Sequence, residues 1–194
     1  MAFTKIVSLV TPARVIPNLR AQNPQNVISE LTRIAAAETS LDHDMLQHAV
    51  LGHGGSSSFG FGRGVAIPHA AISGLPRPIG VFARLFPAQD FGAADGLPAD
   101  LAFLLLSPEG DASTHLRTLA CVVRRLRDRD VAARLRSAKG AEAIHAVLTS
   151  DTWRETGGAS GPRPADMAGK VTSGEAPAGD LTNGTMCRSL ESLC

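Results

Sequence analysis

The sequence has little excess charge of either sign. Its 194 residues include 19 Lys or Arg and 18 Asp or Glu, which gives a net charge of +1 at pH 7. Nucleic acids and anionic membrane surfaces attract proteins mainly through an excess of basic residues. The balance therefore gives no reason to expect a nucleic-acid partner or membrane insertion, and it favours small-molecule or protein partners.

Long apolar runs and paired cysteines are also missing. No stretch approaches the roughly 18 consecutive apolar residues of a membrane span. The apolar N-terminal stretch is broken at Pro12, which makes it a poor signal peptide. The cysteines show no CxxC spacing, and only Cys121 lies in a strongly patterned segment, where a small buried thiol is expected. These absences favour the cytoplasm over secretion.

Helical periodicity predicts two helices in the first third of the chain. The first follows Asn23 as its N-cap and has Pro24 in its first turn, and its apolar face comprises Val27, Ile28, Leu31 and Ile34. Ser40 or Asp42 can cap the second, which Gly52 ends and whose apolar stripe comprises Met45, Leu46, Ala49 and Val50. The glycine- and serine-rich segment 52–64 is then predicted to be a loop.

Strand patterns follow this loop. Segments 65–70 and 79–86 are strand candidates, and 101–106 is a continuous apolar run typical of a strand buried on both faces. A third helix is predicted over 113–128 with Thr114 or Ser113 as its cap, followed by shorter helices at 130–137 and 141–148. In the third helix we expect Leu116, Leu119, Val122, Val123 and Leu126 to face inward and Arg117, Arg124, Arg125 and Arg127 to face outward.

This order of elements predicts the fold class and the domain organisation. Strands after helices, and then a strand followed by a long helix, indicate a single α/β layered domain with a mixed sheet flanked by helices. We expect this domain to cover residues 1–154. Residues 155–194 are dominated by Gly, Pro, Ser, Thr and Ala, and we expect them to form a mostly disordered tail.

The histidines differ in their settings. Three of them lie inside helical patterns and are interpreted as structural or exposed: His43, His48 and His145. His69 ends the strand-like segment 65–69, where Pro68 fixes its own φ and favours an extended conformation for the residue before it. The imidazole of His69 is therefore expected at a strand end, directly after the glycine-rich loop.

A phosphoryl group is one ligand that such a site can take. Successive glycine amides can form an anion-binding concavity, and a neutral imidazole is a competent nucleophile toward phosphorus. The phosphoryl-binding candidates are the loop amides and polar side chains, including His53, Ser56, Ser57, Ser58, Gly60 and Gly62. The residues alone leave open that His69 is simply a strand-end histidine bonded to backbone.

Several ordered motifs carry a family resemblance over roughly residues 25–150. They are GRGVAIPHA at 62–70, the F-x-A-x-D-x-x-P-x-D-L stretch at 91–101, and His115-Leu116 after the apolar strand. In these motifs the chain resembles the enzyme IIA domains of the phosphoenolpyruvate-dependent phosphotransferase system, of the fructose and nitrogen-regulatory type. The resemblance implies that His69 accepts the phosphoryl group from a phosphocarrier protein of the HPr class and that His115 supports the site. In the first turn of its helix, His115 would also lie near free amides and the positive helix end.

The chain departs from the family pattern upstream of the signature. Relatives commonly carry R-E-x-x-G-S-T-G-[IV]-G there, and His53 holds the position of the arginine, while Phe59 replaces the threonine and Ser58 keeps the serine. An imidazole is only partly protonated near neutrality, so transfer is expected to become slower, pH-dependent or lost. Arg63 or Arg84 could supply charge instead.

Other site types are disfavoured. A zinc site built from His53, His69 and His115 would lack an acidic or cysteine ligand at a familiar spacing, and the glycines do not follow the order of a dinucleotide site. The arginines between 124 and 136 are interrupted by Asp128 and Asp130, as expected of a solvated helix face. No metal and no cofactor are therefore expected.

Three functions remain open from the sequence. The first is a nitrogen-type IIA regulator whose phosphorylation on His69 alters its binding to target proteins. The second is a transport IIA component that hands the phosphoryl group to a IIB domain. The third is a degenerate IIA-fold binding module without phosphotransfer, which the replacements at His53 and Phe59 suggest.

Overall fold

The computed structural model describes residues 6–54 and 59–150, with the side chains of 53 and 54 not included. Two short 3-10 turns, Ile6–Ser8 and Pro12–Arg14, precede the first strand. The strands are β1 (Val15–Leu19), β2 (Gly60–Gly62), β3 (Val65–Ala66), β4 (His69–Ile72), β5 (Ile79–Gln89) and β6 (Ala99–Pro108). The helices are α1 (Pro24–Thr39), α2 (His43–Gly54), α3 (Ala112–Arg127), α4 (Arg129–Ser137) and α5 (Gly140–Thr149). The tail at 155–194 and its boundary lie outside the described residues.

The strands form one mixed sheet with the order β1-β5-β6-β3-β2, in which β4 also pairs with β6. The long strands β5 and β6 run antiparallel with Phe82 opposite Phe103, whereas β1 runs parallel to β5. Both β3 and β4 run parallel to β6 along its other edge, so they replace the single strand expected over 65–70. β3 and β4 are separate strands because the two residues between them donate no hydrogen bond to β6. Pro68 has no amide hydrogen, and the amide of Ile67 donates to the Phe59 carbonyl.

Helices cover both faces of the sheet, which confirms the expected α/β layered architecture. Alternate β6 residues point to opposite faces: Ala102 and Leu104 join the core under α1 and α2, while Phe103 and Leu105 join the core under α3, α4 and α5. Every residue from Leu101 to Leu106 is fully buried, as the continuous apolar run predicted. No helix in the described ranges is long and apolar enough to cross a membrane.

The two N-terminal helices begin at capping residues that the sequence predicted. The Asn23 side chain accepts the amide of Asn26 at 2.9 Å, which confirms it as the α1 cap. Asp42 accepts the amide of Met45 at 2.8 Å and begins α2, whereas Ser40 ends α1 in a left-handed conformation. The expected end at Gly52 was wrong, because α2 continues to Gly54. The placement of Met45 in the apolar stripe was also wrong, since it is 39% exposed.

The C-terminal helices correct further expectations. Asp111, and not Ser113 or Thr114, is the N-cap of α3. Leu116 was expected inside and is 63% exposed, whereas Arg125 was expected outside and is buried. Arg125 donates to the carbonyls of Val147 and Ser150 at the end of α5, where these hydrogen bonds offset the cost of burying its charge. Cys121, expected to be buried, is partly exposed.

Candidate functional site

His69 begins β4 directly after Pro68, and the local backbone fixes its ring. Ile67, which precedes the proline, has its carbonyl turned toward the imidazole, and the distance from Nδ1 of His69 to this oxygen is 2.8 Å. A carbonyl can only accept, so Nδ1 carries the hydrogen of the neutral ring and Nε2 carries the lone pair. The structure therefore assigns the nucleophilic nitrogen of the neutral side chain to Nε2.

Register places His69 on the α3 side of the sheet. It pairs with Leu105 of β6, which belongs to the core under α3, while the next residue along β4, Ala70, belongs to the opposite core. His115 is the fourth residue of α3 and comes down onto the same face. The two imidazole centroids lie 5.5 Å apart with their planes tilted by 37°. The fold thus brings together two histidines that are 46 positions apart.

Two phenylalanine rings also lie close to the His69 ring. Phe59 approaches in an edge-on arrangement with a centroid distance of 5.8 Å, and Phe61 lies at 6.5 Å. Phe59 is 2% exposed, so this replacement in the family motif is a core residue that packs beside the candidate nucleophile. His69 itself is half-buried, so part of its side chain is accessible.

The N-terminus of α3 is capped by a carboxylate, which the sequence pattern alone did not reveal. Asp111 accepts the Thr114 amide at 3.0 Å and the Ser113 hydroxyl at 3.1 Å. The bonds from Thr114, its hydroxyl first and then its amide, together with the Ser113 hydroxyl, hold the pKa of Asp111 below its ordinary value. An ionised Asp111 counters the positive helix end, so the expected support from free amides beside His115 is weakened. The Asp-x-Ser-Thr spacing was the available signal.

Gly60 and Gly62, two of the phosphoryl-binding candidates, are held against the segment 91–95. The amide of Gly60 donates to the Phe91 carbonyl at 2.8 Å, so it is already engaged. A Cβ at Gly60 would lie 2.6 Å from the amide nitrogen of Ala93. Gly62 has a φ of +81°, where glycine is favoured. Their geometry therefore gives both glycines a role in packing the β2 turn.

The remaining candidates fall in different places. The side chain of His53, in the last turn of α2, and all of Ser58 lie outside the described residues. Arg84 donates to the carbonyls of Leu135, Arg136 and Ala138 at the end of α4 and to Pro17, so its guanidinium serves the fold. Arg63 is exposed, and its amide donates to Asp95 at 2.7 Å.

The described ranges contain no cluster of side chains suited to hold a metal ion. Within 6–54 and 59–150, and without the side chain of His53, no three His, Cys, Asp or Glu residues cluster as metal ligands. His43 and His145, set aside from the sequence, bond to the carbonyls of Ser29 and Val10 respectively. The chemical capacity of the site therefore rests on the His69 and His115 pair.

Comparison with known proteins places these features in one family. Residues 8–151 match the family model described as phosphoenolpyruvate-dependent sugar phosphotransferase system, EIIA 2. The nitrogen regulatory protein of Bradyrhizobium diazoefficiens is 39% identical over 143 residues, covering 74% of this chain and 94% of that protein. The fructose-specific EIIABC component of Bacillus subtilis is 30% identical over 145 residues, covering 74% of this chain and 23% of that protein.

A solved structure agrees with the sequence comparison. The crystal structure of nitrogen regulatory protein IIA-Ntr from Neisseria meningitidis superposes with a TM-score of 0.70 at 27% identity, covering 74% of this chain and 99% of that one. The α/β fold with its mixed sheet and covering helices is thus shared with that structure. The chain belongs to the type-2 enzyme IIA family of the phosphoenolpyruvate-dependent phosphotransferase system.

Proposed function

We propose that this chain is a cytoplasmic phosphocarrier of the nitrogen-regulatory type, with its IIA domain in residues 1–154. It accepts a phosphoryl group on Nε2 of His69 from an HPr-class protein, and its phosphorylation state sets its affinity for target proteins. The observation that carries the proposal is the hydrogen bond between Nδ1 of His69 and the Ile67 carbonyl at 2.8 Å, beside His115. This bond assigns the ring hydrogen to Nδ1, and so the lone pair of the neutral ring to Nε2.

The transfer step balances without an added acid, base or metal. The Nε2 lone pair of His69 attacks the phosphorus of the phosphohistidine on the carrier, and the new P–N bond forms as the P–N bond of the carrier breaks. The carrier imidazole carries a proton on its other ring nitrogen, so it takes up the electron pair of the broken bond and leaves as a neutral ring. The Nδ1 hydrogen stays on His69 and bonds to Ile67, whose carbonyl stabilises the positive charge that the ring gains.

His115 supplies the donor for the phosphoryl oxygens. Its ring lies 5.5 Å from that of His69, on the side where α3 meets the sheet. The phosphoryl group carries close to two negative charges, and an imidazole N–H at this distance is placed to bond one of its oxygens. Removal of one transition-state donor of this kind typically costs about 10²- to 10³-fold in rate.

Regulation is favoured over transport by the comparison, because the relative named nitrogen regulatory protein is 39% identical and the fructose component is 30% identical. In the transport alternative the same phosphohistidine passes its group to a IIB domain. In the degenerate alternative the fold binds partners without phosphotransfer. Burial of Phe59 in the core speaks against the latter, since a packed Phe59 leaves the imidazole of His69 half-exposed.

The test is incubation with phosphoenolpyruvate, enzyme I and the HPr-class carrier, followed by intact mass and by NMR of the histidine nitrogens. We expect one acid-labile, base-stable phosphoryl group, located on Nε2 of His69. His69→Ala should abolish acceptance, and His115→Ala should slow it by about 10²- to 10³-fold. Replacement of His145, which bonds to the Val10 carbonyl away from the site, is the matched control and should leave acceptance unchanged.

Three outcomes would overturn the proposal. Acceptance at another residue in the His69→Ala protein would show that the nucleophile is elsewhere. Phosphorylation on Nδ1 would show that the hydrogen bond to Ile67 does not set the reacting nitrogen. Absence of any phosphoryl group on the wild-type protein would favour the degenerate binding module.

A further inference from the structure

A groove of about 680 Å³ lies along the outer face of α3, and it includes near neighbours of both histidines. Phe61 belongs both to the groove and to the rings around His69, and Leu116 follows His115 in the chain. The other lining residues are Arg63, Leu119, Ala120, Val123, Arg124, Arg127 and Asp128. We call this surface the arginine groove. Phe61 and Leu116 thus connect the arginine groove to the neighbourhood of the two histidines.

The floor of the arginine groove is apolar and in part strongly exposed. Leu116, Ala120 and Val123 are spaced by four and three residues, so they lie on one face of α3. Leu116 is 63% exposed although it follows the candidate phosphoryl-binding His115. Most of the Leu116 side chain lies outside the core of the chain, and together with Phe61, Ala120 and Val123 it forms an apolar surface that a partner can cover.

The rim of the groove is positively charged. Arg63, Arg124 and Arg127 are all exposed, and a 3.2 Å hydrogen bond from Arg63 to the Arg127 carbonyl ties the β2 turn to the end of α3. Asp128 is the one carboxylate among the described lining residues, and it accepts the amides of Asp130 and Val131 at 3.0 Å as the cap of α4. The groove therefore presents an excess of positive charge, although the whole chain carries only +1.

We infer that the arginine groove docks a protein whose surface is acidic around an apolar projection, and that the partner exchanging phosphoryl groups with His69 carries this surface. The inference rests on the proposed function and adds the chemistry of the partner to it. Leu116 and Phe61 would contact the projection, and the guanidinium groups of Arg63, Arg124 and Arg127 would face carboxylates. Such complementary charge mainly raises the association rate and decreases in effect with added salt.

The experiment measures phosphoryl acceptance from two donors. One donor is the phosphorylated HPr-class carrier, and the other is phosphoramidate, a small molecule that needs no docking surface. We expect Arg124→Glu to lower kcat/KM with the carrier by about tenfold or more at low ionic strength, with a smaller deficit at about 0.5 M NaCl. Acceptance from phosphoramidate should change by less than about threefold, because a charge on the rim interacts only weakly with a small donor at His69.

Two further variants separate the charge from the fold. Arg134→Glu makes the same charge change on the exposed side of α4, outside the groove, and should stay within about twofold of the wild type. Leu116→Ala removes the exposed apolar contact without opening the core and should lower kcat/KM with the carrier alone. Arg124→Lys keeps the positive charge and should restore most of the rate.

The possible failures are distinguishable. If the wild type accepts phosphoryl groups from neither donor, the proposed function fails and this inference fails with it. If the wild type accepts from both donors and Arg124→Glu matches it with the carrier, the partner does not use the groove and the inference alone fails. A wild-type dimer in solution that Arg124→Glu dissociates would also overturn it, because a second copy would then occupy the groove.

Discussion

Replacement of Gly60 by alanine tests whether the packing of the β2 turn keeps the rings around His69 in place. Gly60 lies in the chain between Phe59 and Phe61, the two phenylalanines near His69. A Cβ at Gly60 would stand 2.6 Å from the Ala93 amide nitrogen and 2.7 Å from its Cα, against 3.4 Å where ordinary contact begins. The obstructing atoms are the backbone and the Cβ of Ala93, none of which can rotate away. We therefore expect Gly60→Ala to force β2 and the 91–95 segment apart by several tenths of an ångström.

The expected loss of stability combines a steric clash with a weakened hydrogen bond. Overpacking of this kind costs about 1–3 kcal/mol, and separation of the strands weakens the hydrogen bond from Gly60 to the Phe91 carbonyl, worth about 1 kcal/mol. Alanine recovers roughly 0.4–1 kcal/mol because it lowers the entropy of the unfolded chain. The net loss is about 1–3 kcal/mol, which lowers Tm by roughly 3–10 °C for a domain of this size.

The assay combines thermal unfolding with the rate of phosphoryl acceptance. Gly52→Ala is the matched control, because a Cβ at this position in α2 meets nothing within 4 Å. It should raise stability by about 0.5–1 kcal/mol without changing acceptance. For Gly60→Ala, acceptance should fall together with Tm, since displacement of β2 moves both Phe59 and Phe61 relative to His69. A Gly60→Ala protein that melts at or above the wild type would refute the packing argument.

Two further predictions concern side chains that hydrogen-bond to helix termini, Arg84 at the C-terminus of α4 and Asp111 at the N-terminus of α3. Arg84→Met should cost about 2–3 kcal/mol in urea unfolding, because it leaves the carbonyls at the end of α4 without their charged donor. Arg33→Met removes only an exposed pair and should cost less than about 0.5 kcal/mol; equal losses in the two variants would contradict the role given to Arg84. Asp111→Ala should destabilise the protein at pH 7, and this difference should shrink as pH falls below the ordinary carboxyl pKa of 3.8, since the folded-state pKa of Asp111 is lowered and its protonation removes the cap. A difference that stays constant between about pH 7 and pH 2 would exclude a charged cap.

Features whose physical cause is local, or that an ordered motif carries, could be predicted from the amino-acid sequence. The Asn23 cap and Pro24 fix the start of α1 through neighbouring atoms alone. The continuous apolar run 101–106 identifies the central strand, because only a strand covered on both faces needs apolar residues at every position. The signature ending at His69 carries the resemblance to the enzyme IIA family, and the match of residues 8–151 to the family model confirms that family.

Tertiary structure decided whatever depends on groups distant in sequence. β1 has no strong pattern of its own and becomes a strand because β5 supplies its parallel partner. Arg125 is buried since the carbonyls of Val147 and Ser150, 22 and 25 residues later, receive its guanidinium. Helical periodicity predicts that both Leu116 and Leu126 face inward. The sheet packed against α3 covers Leu126 and leaves Leu116 exposed. The 5.5 Å distance between the rings of His69 and His115 likewise exists only once α3 packs against the sheet.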